Sequence, residues 1–184
     1  MRKLVVVSLL LVGAASTLVV AAIATADSGS RNISAHGGLT GYQEVPATIS
    51  TTGGGTFTAK IANDGQSFEW TLSYEALEGT VQQAHIHFGA RGLANGISVF
   101  LCTNIGNAPP APAGPTQACP APPATISGVA RANDVIGPTA QGIEPGAFDE
   151  LLAAMRAGVA YANVHSLKWP AGEIRGQLDG GGDG

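Results

Sequence analysis

The stretch Ser67-Phe68-Glu69-Trp70-Thr71-Leu72-Ser73-Tyr74-Glu75 determines the fold class of this 184-residue chain. Its apolar residues alternate strictly with polar ones, which is the pattern of a β-strand with one buried face. Three of the four apolar side chains are aromatic, and we expect them to lie in the core rather than to form a platform for a ligand. The stretch therefore predicts a β-rich fold around an aromatic core.

Short alternating runs recur on both sides of this strand, and Gly, Asn and Pro turn signals separate them. The predicted strands are 39–45, 56–62, 67–75, 81–88, 97–101, 125–131, 158–165 and 173–178. About eight short strands at this spacing predict an all-β fold, namely an antiparallel Greek-key β-sandwich.

One helix interrupts the strand pattern. Phe148, Leu151, Leu152 and Met155 follow the i, i+3, i+4, i+7 spacing of an amphipathic helix. Acidic residues lie in its first turn and Arg156 near its end, where each sign of charge favours the helix dipole. We predict one short helix that caps the sandwich.

The N-terminus predicts export. Met1-Arg2-Lys3 precedes an uncharged apolar stretch, and Ala24-Thr25-Ala26 fits the small-x-small pattern of a signal-peptidase site. We therefore predict a signal peptide over 1–26 and a secreted, periplasmic or cell-surface protein. The apolar stretch is also just long enough to span a bilayer, so the alternative is an uncleaved N-terminal anchor, the only contact with a membrane that we expect.

The rest of the chain divides into one domain and its flanks. Gly/Ser-rich residues 27–38 are typical of a linker, 179–184 of a flexible tail, and the domain occupies 39–178. Seven prolines between 106 and 123 exclude regular strand pairing and predict a Pro-rich surface loop over 104–123. Cys102 and Cys119 bracket most of this loop, and in an oxidising compartment they predict one disulfide.

Charge and loops limit the choice of partner. Without Arg2 and Lys3 the exported part has 7 basic and 13 acidic residues, which argues against nucleic acid. The loops 89–95 and 104–123 are the natural surfaces for a partner, because loops at the ends of a sandwich are held by a rigid scaffold. We expect an extracellular protein or a glycan, which the sequence does not identify.

The four histidines suggest a site. His85 and His87 lie two residues apart in a predicted strand, so they share one face, while Ala84, Ile86 and Phe88 take the other. The predicted strands 158–165 and 173–178 likewise place apolar side chains on one face and polar side chains on the other. If the three strands are neighbours, one polar face results, which we expect to be the functional surface. Its members are His85, His87, His165, Tyr161, Asn163, Glu173, Arg175 and Gln177.

The face supports two interpretations. Three neutral imidazoles suit copper or zinc, so His85, His87 and His165 are the predicted metal ligands. A carboxylate, Glu173 or Glu44, would complete or orient that set. The alternative is a polar network in which histidines donate to Glu or Asn and Arg175 pairs with Glu173. Tyr161, Asn163, Glu173, Arg175, Gln177 and Glu44 are the expected surroundings.

Three motifs of the chain resemble the CHRD domain, a module named after the extracellular developmental antagonist chordin and widespread in bacterial exported proteins. They are LTGYQEVP at 39–46, AHIHFG at 84–89 with Asn95-Gly96, and YANVHS at 161–166 followed by PAGEIRGQL at 170–178. The resemblance implies an all-β extracellular module with a binding or interaction role. It brings no catalytic residues, and the chain has no G-x-S-x-G or H-E-x-x-H motif, so the sequence favours a non-enzymatic protein.

The stretch His85-Ile86-His87-Phe88-Gly89 also resembles part of Cu/Zn superoxide dismutase, a Greek-key β-sandwich in which the two histidines bind copper. That enzyme needs more histidines than the 4 present here, so at most a mononuclear copper site survives. The resemblance supplies one alternative function, a mononuclear copper protein with superoxide dismutase-like redox activity. A second alternative is a structural extracellular domain without a ligand.

Overall fold

The computed structural model describes residues 32–35, 38–109 and 116–180. The predicted signal peptide or anchor lies outside the described residues, as does His36. No helix in the described part of the chain is long and apolar enough to cross a membrane. The helix is α1 (Phe148–Arg156), and the strands are β1 (Asn32–Ala35), β2 (Leu39–Thr40), β3 (Gly54–Ile61), β4 (Ser67–Glu75), β5 (Val81–Phe88), β6 (Ile97–Thr103), β7 (Ala124–Arg131), β8 (Ala160–Ser166) and β9 (Ile174–Gly180).

All strand pairs are antiparallel and belong to one sheet in the order β6-β5-β8-β9-β1-β3-β4-β7, with β2 pairing to both β3 and β9. Phe57 and Leu72 from one half of this path share a core with Ile86 and Val164 from the other half. The sheet therefore folds over itself near β1 and β2. The predicted all-β antiparallel fold with one short helix is confirmed, and the layers of the expected sandwich are the halves of one continuous sheet.

The aromatic strand occupies the core as its alternation predicts. Phe68, Trp70, Leu72 and Tyr74 of β4 are all buried, while Glu69 and Thr71 are exposed. Helix α1 packs on β8 and β9, and its first residue also reaches β4, because the rings of Phe148 and Phe68 stack with their centroids 5.7 Å apart. The helix thus covers one side of the shared core.

Two predictions at the ends of the domain are wrong in part. Residues 32–35 of the expected linker form β1, and 179–180 of the expected tail belong to β9. These segments pair with each other, Ile33 opposite Gly180, and β1 also pairs with β3. Pairing on both edges and burial of Ile33 outweigh a polar composition that would otherwise favour disorder. Residues 181–184 lie outside the described part.

The predicted strand over 39–45 is also shorter than expected. β2 ends at Thr40, and a 3₁₀ turn over Gly41–Gln43 follows it. The backbone N–H of Ile49 donates to the carbonyl of Gly41 at 2.8 Å. A Cβ atom on residue 41 would lie only 2.3 Å from the carbonyl oxygen of Ile49. The chain can therefore fold back here only at a glycine. This turn brings Glu44 to the polar face of the sheet.

The disulfide between Cys102 and Cys119 is present, as predicted. It fastens the C-terminal part of the Pro-rich loop to β6, and Asn104 strengthens that link by donating to the carbonyl of Cys119 at 2.8 Å. The described parts of this loop, 104–109 and 116–123, contain no helix or strand. A disulfide of this kind is typical of proteins in oxidising, extracellular-type compartments.

Candidate metal centre

The three strands that carry the polar face are neighbours. β8 lies between β5 and β9, with Asn163 opposite His85 on one side and opposite Arg175 on the other. In the next row Tyr161 lies opposite His87 and Gln177. The adjacency on which the polar-face hypothesis depended is therefore present, and the alternation of each strand places these side chains together.

The face is buried, although the sequence analysis expected a functional surface. His85 is 1% exposed, and His87 and His165 are each 7% exposed. The loop 89–96 after β5 contacts His87, and the β8–β9 turn that contains Pro170 contacts His165, while the turn around Glu44 contacts Asn163 of the same face. Alternation predicts which side chains share a face of a sheet, but it does not reveal which loops will cover that face.

The three histidine rings converge on one point. One ring nitrogen from each of His85, His87 and His165 lies within 4.8 Å of the other two. Nδ1 of His85 is 3.2 Å from Nε2 of His165. Two nitrogen ligands of a tetrahedral zinc ion, each about 2.0–2.1 Å from the metal, are roughly 3.3 Å apart. The spacing of this pair therefore fits two ligands of one ion with little movement.

Backbone carbonyls fix the tautomers of two of the rings. Nδ1 of His87 lies 2.9 Å from the carbonyl oxygen of Asn95, and Nδ1 of His165 lies 3.0 Å from that of Pro170. A carbonyl only accepts, so each Nδ1 carries the proton and each Nε2 carries a lone pair. This arrangement is the usual outer support of a metal-ligating histidine.

The tautomer of His85 follows from that of His165. Because Nε2 of His165 is an acceptor, Nδ1 of His85 donates to it. Nε2 of His85 then carries a lone pair, and within the described residues neither this atom nor Nε2 of His87 has a hydrogen-bond partner, although both are buried. Such atoms call for an explanation, because buried polar groups are nearly always satisfied.

The electrostatics keep all three imidazoles neutral near pH 7. Burial, reinforced by the neighbouring His165 and His87, lowers the pKa of His85 to about 2. Burial also lowers the pKa of His87 to about 4, against the opposing effect of the Asn95 carbonyl. The pKa of His165 is lowered for the same reason. Neutral imidazole is the form that binds metal, so acid competes little with an ion at this site.

Neither predicted carboxylate belongs to the histidine group. Glu173 instead joins two loops, because its carboxylate accepts from Thr51 Oγ1 at 2.8 Å and from the backbone N–H groups of Glu78 and Gly79 at 2.6 and 3.3 Å. Glu44 accepts from Nδ2 of Asn163 at 2.7 Å, and burial raises its pKa to about 7.

The alternative pairing of Arg175 with Glu173 is also absent from the described residues, in which the one ion pair joins Lys168 and Glu78. Arg175 donates instead to the backbone carbonyls of Ala90 and Leu93 and to the side chain of Gln177.

Aromatic rings surround the histidines. Phe100 meets His85 edge-on with ring centroids 4.4 Å apart. Tyr161 stacks on His87 at 4.6 Å with the ring planes nearly parallel, and the guanidinium of Arg175 lies 3.4 Å from the centroid of the same tyrosine. These contacts exclude water from the rings and restrict their rotation.

Sequence reasoning missed Phe100, Asn95 and Pro170. Phe100 could have been found from pairing, because it lies opposite His85 in the β5–β6 register. The other two act through their carbonyl oxygens, which every residue has, so no side-chain pattern identifies them. Their place in the chain is the only signal: both belong to turns that follow a histidine-bearing strand.

The fold and the site together define a class of protein, an antiparallel β-domain with three convergent, buried histidines. The family model of the CHRD domain matches residues 37–178, and the chain belongs to this family. No curated protein and no solved structure matches the chain. The three histidines and the residues around them all lie within the matched region.

Proposed function

We propose that this protein is an exported CHRD-type module that binds one transition-metal ion, copper or zinc, through His85, His87 and His165. The observation that carries the proposal is the set of buried rings whose nitrogens lie within 4.8 Å of one another, two of them held by carbonyls at Nδ1. Imidazole nitrogens suit both metals, and three protein ligands would leave one position of a tetrahedral site for a small fourth ligand.

Hydrogen bonding within the protein explains the cluster less well than an ion does. A purely structural network would give each buried ring nitrogen a partner, since an unsatisfied buried polar atom costs about 1–3 kcal/mol. Within the described residues, two of the six ring nitrogens have none, Nε2 of His85 and Nε2 of His87. An ion bound among the rings would use the lone pair on Nε2 of His87, which favours the metal over the structural alternative.

Burial supports a binding role rather than catalysis. A catalytic metal needs a coordination position that the substrate can reach. Here His85 is almost completely enclosed, and the loop 89–96 and Pro170 lie against the other two rings. Superoxide dismutase-like redox activity of a copper form is therefore the second candidate, and the non-catalytic module is the first.

Export and partner choice complete the proposal. The disulfide between Cys102 and Cys119 and the signal-like segment 1–26 support a secreted, periplasmic or cell-surface location. We further propose that the loops 89–95 and 104–123 contact a protein or glycan outside the cell. The first of these loops adjoins the histidines through Asn95, so a bound ion would also fix part of the contact surface.

Metal analysis of the whole protein tests the proposal. The purified protein is loaded with copper or zinc, desalted and analysed for metal, beside His87→Ala, His165→Ala and a His36→Ala control that removes the fourth histidine. We expect about one ion per chain in the wild type and the control, and loss of the ion in the other two. A folded wild type that retains no metal, or retention by His87→Ala, would overturn it.

The two alternatives have tests of their own. Superoxide turnover by the copper-loaded wild type above that of His87→Ala would establish the redox candidate, whereas equal rates would remove it. The structural alternative predicts that replacement of all three histidines by alanine lowers stability while metal retention, absent from the start, does not change.

A further inference from the structure

Arg175 is a buried cation that has no carboxylate within ion-pair distance among the described residues. Its side chain is 2% exposed, and burial of a charge is costly unless hydrogen bonds compensate for it. Nη1 donates to the carbonyl of Leu93 at 2.8 Å, and Nη2 lies 3.4 Å from both the carbonyl of Ala90 and Oε1 of Gln177. The charge of Arg175 is thus directed at the backbone of one loop.

The same loop also contacts His87. Two residues after Leu93, the carbonyl of Asn95 faces Nδ1 of His87 at 2.9 Å. The backbone N–H of Asn95 donates to the phenol oxygen of Tyr161 at 3.1 Å. Arg175 therefore holds the loop just before the carbonyl that fixes the tautomer of His87.

A second connection runs through the aromatic ring of Tyr161. Tyr161 of β8 lies opposite His87 of β5, and Arg175 reaches its ring from a diagonal position on β9. The guanidinium is 3.4 Å from the ring centroid, and the imidazole stacks on the same ring at 4.6 Å with an interplanar angle of 1°. A desolvated cation–π contact of this kind is attractive and restricts the ring on which His87 rests.

We propose that Arg175 is a positioning residue, which holds His87 in the Nδ1–H tautomer and orientation that present Nε2 to a metal ion. The inference rests on the proposed metal-binding function. Lysine cannot replace the guanidinium, because an ammonium group lacks the planar fork that contacts two carbonyls and a ring at once. Loss of such outer support typically costs 10–100-fold in metal affinity, which is the effect we expect for Arg175→Lys.

The test uses two measurements on Arg175→Lys, with Arg91→Gln as the matched control. Arg91 belongs to the same loop, but its side chain is exposed and has one long hydrogen bond, to Gln43. Nitrogen-15 NMR of the metal-free protein reports the tautomer of His87, and competition titration reports zinc affinity. Wild type and control should show the Nδ1–H tautomer, whereas Arg175→Lys should show a mixture and bind zinc 10–100-fold more weakly.

The outcomes distinguish failure of this inference from failure of the proposed metal binding. A folded Arg175→Lys protein that keeps the Nδ1–H tautomer and the wild-type zinc affinity would overturn the inference. If the wild type binds no metal, the proposed function fails, and the tautomer alone then decides whether Arg175 positions His87. If Arg175→Lys does not fold, Tyr161→Phe replaces it: this change removes only the phenol contact to Asn95 and should shift tautomer and affinity in the same direction by a smaller amount.

Discussion

Glu44 shows how burial changes a single carboxyl group. Burial raises its pKa from 4.5 to about 7, although the hydrogen bond from Asn163 and the charge of Arg175 both oppose the shift. Between these two pH values the folded protein binds a proton that the unfolded chain has lost. The contribution of Glu44 to stability is therefore fully present below pH 4.5 and is lost as the pH rises through 7.

A Glu44→Gln variant should reveal this dependence, because an amide resembles the protonated carboxyl group. We expect the free energy of unfolding of the metal-free wild type, relative to the variant, to fall by on the order of 3 kcal/mol between pH 4.5 and pH 8. Denaturant unfolding at several pH values measures it, and Glu69→Gln at an exposed position of β4 controls for the lost charge. A constant difference between wild type and Glu44→Gln would contradict the assignment.

Gly172 supports the same carboxyl group. Its φ is +137°, and a Cβ atom there would lie 2.5 Å from Oε2 of Glu44 and 2.8 Å from Nδ2 of Asn163. Gly142 also has a positive φ, +92°, but has nothing within 4 Å of such an atom. We expect Gly142→Ala to cost about 1–2 kcal/mol of unfolding free energy from backbone strain alone, and Gly172→Ala to cost clearly more. Equal costs in chemical denaturation would show that the contact with Glu44 is unimportant.

The placement of individual residues on the polar face was predictable where strand parity decides it. His85, His87 and His165 followed from alternation, because only odd positions of those strands share the face. The role of Glu173 did not follow. Its partners are Thr51 and the backbone of residues 78 and 79, which are remote in sequence and in loops whose course no periodicity predicts.

At the scale of elements, the disulfide joins the end of β6 to a segment that no strand pairing stabilises. Cys102 and Cys119 are 17 residues apart, and closing a loop of this size is worth about 3 kcal/mol by chain entropy. We expect Cys102→Ala with Cys119→Ala to lose roughly that stability while keeping the sheet. Unfolding with and without reductant tests this: the reductant should destabilise only the wild type, and an unchanged wild type would refute the estimate.

Strands were predictable where a long alternation of polar and apolar residues marks them in the sequence. β4 and β5 match their predicted bounds, since β4 alternates over its whole length and β5 alternates from Gln83 to Phe88. β1 was missed because its alternation of polar and apolar residues spans only four residues in Gly/Ser-rich surroundings. Their order comes from pairing with β3 and β9. The same tertiary pairing adds residues 179–180 to β9, whose composition alone predicts a tail.

At the scale of the whole molecule, the folded-over sheet brings the polar face and its covering loops together around one shared core. An ion that binds only this folded arrangement must stabilise it. At a free zinc concentration 100 times its Kd, we expect about 2.7 kcal/mol of added unfolding free energy. Thermal unfolding with increasing zinc measures it, and His87→Ala should show no shift. A wild-type Tm independent of zinc would exclude binding coupled to the fold.

A crystal structure of the zinc-loaded protein, with the ion located by its anomalous scattering, tests the central claim most directly. The account predicts one peak about 2.0–2.1 Å from a ring nitrogen of each of His85, His87 and His165, with the Nδ1 atoms of His87 and His165 still bonded to the carbonyls of Asn95 and Pro170. A peak elsewhere on the protein, or rings that keep the hydrogen bond between His85 and His165 with no peak among them, would contradict it.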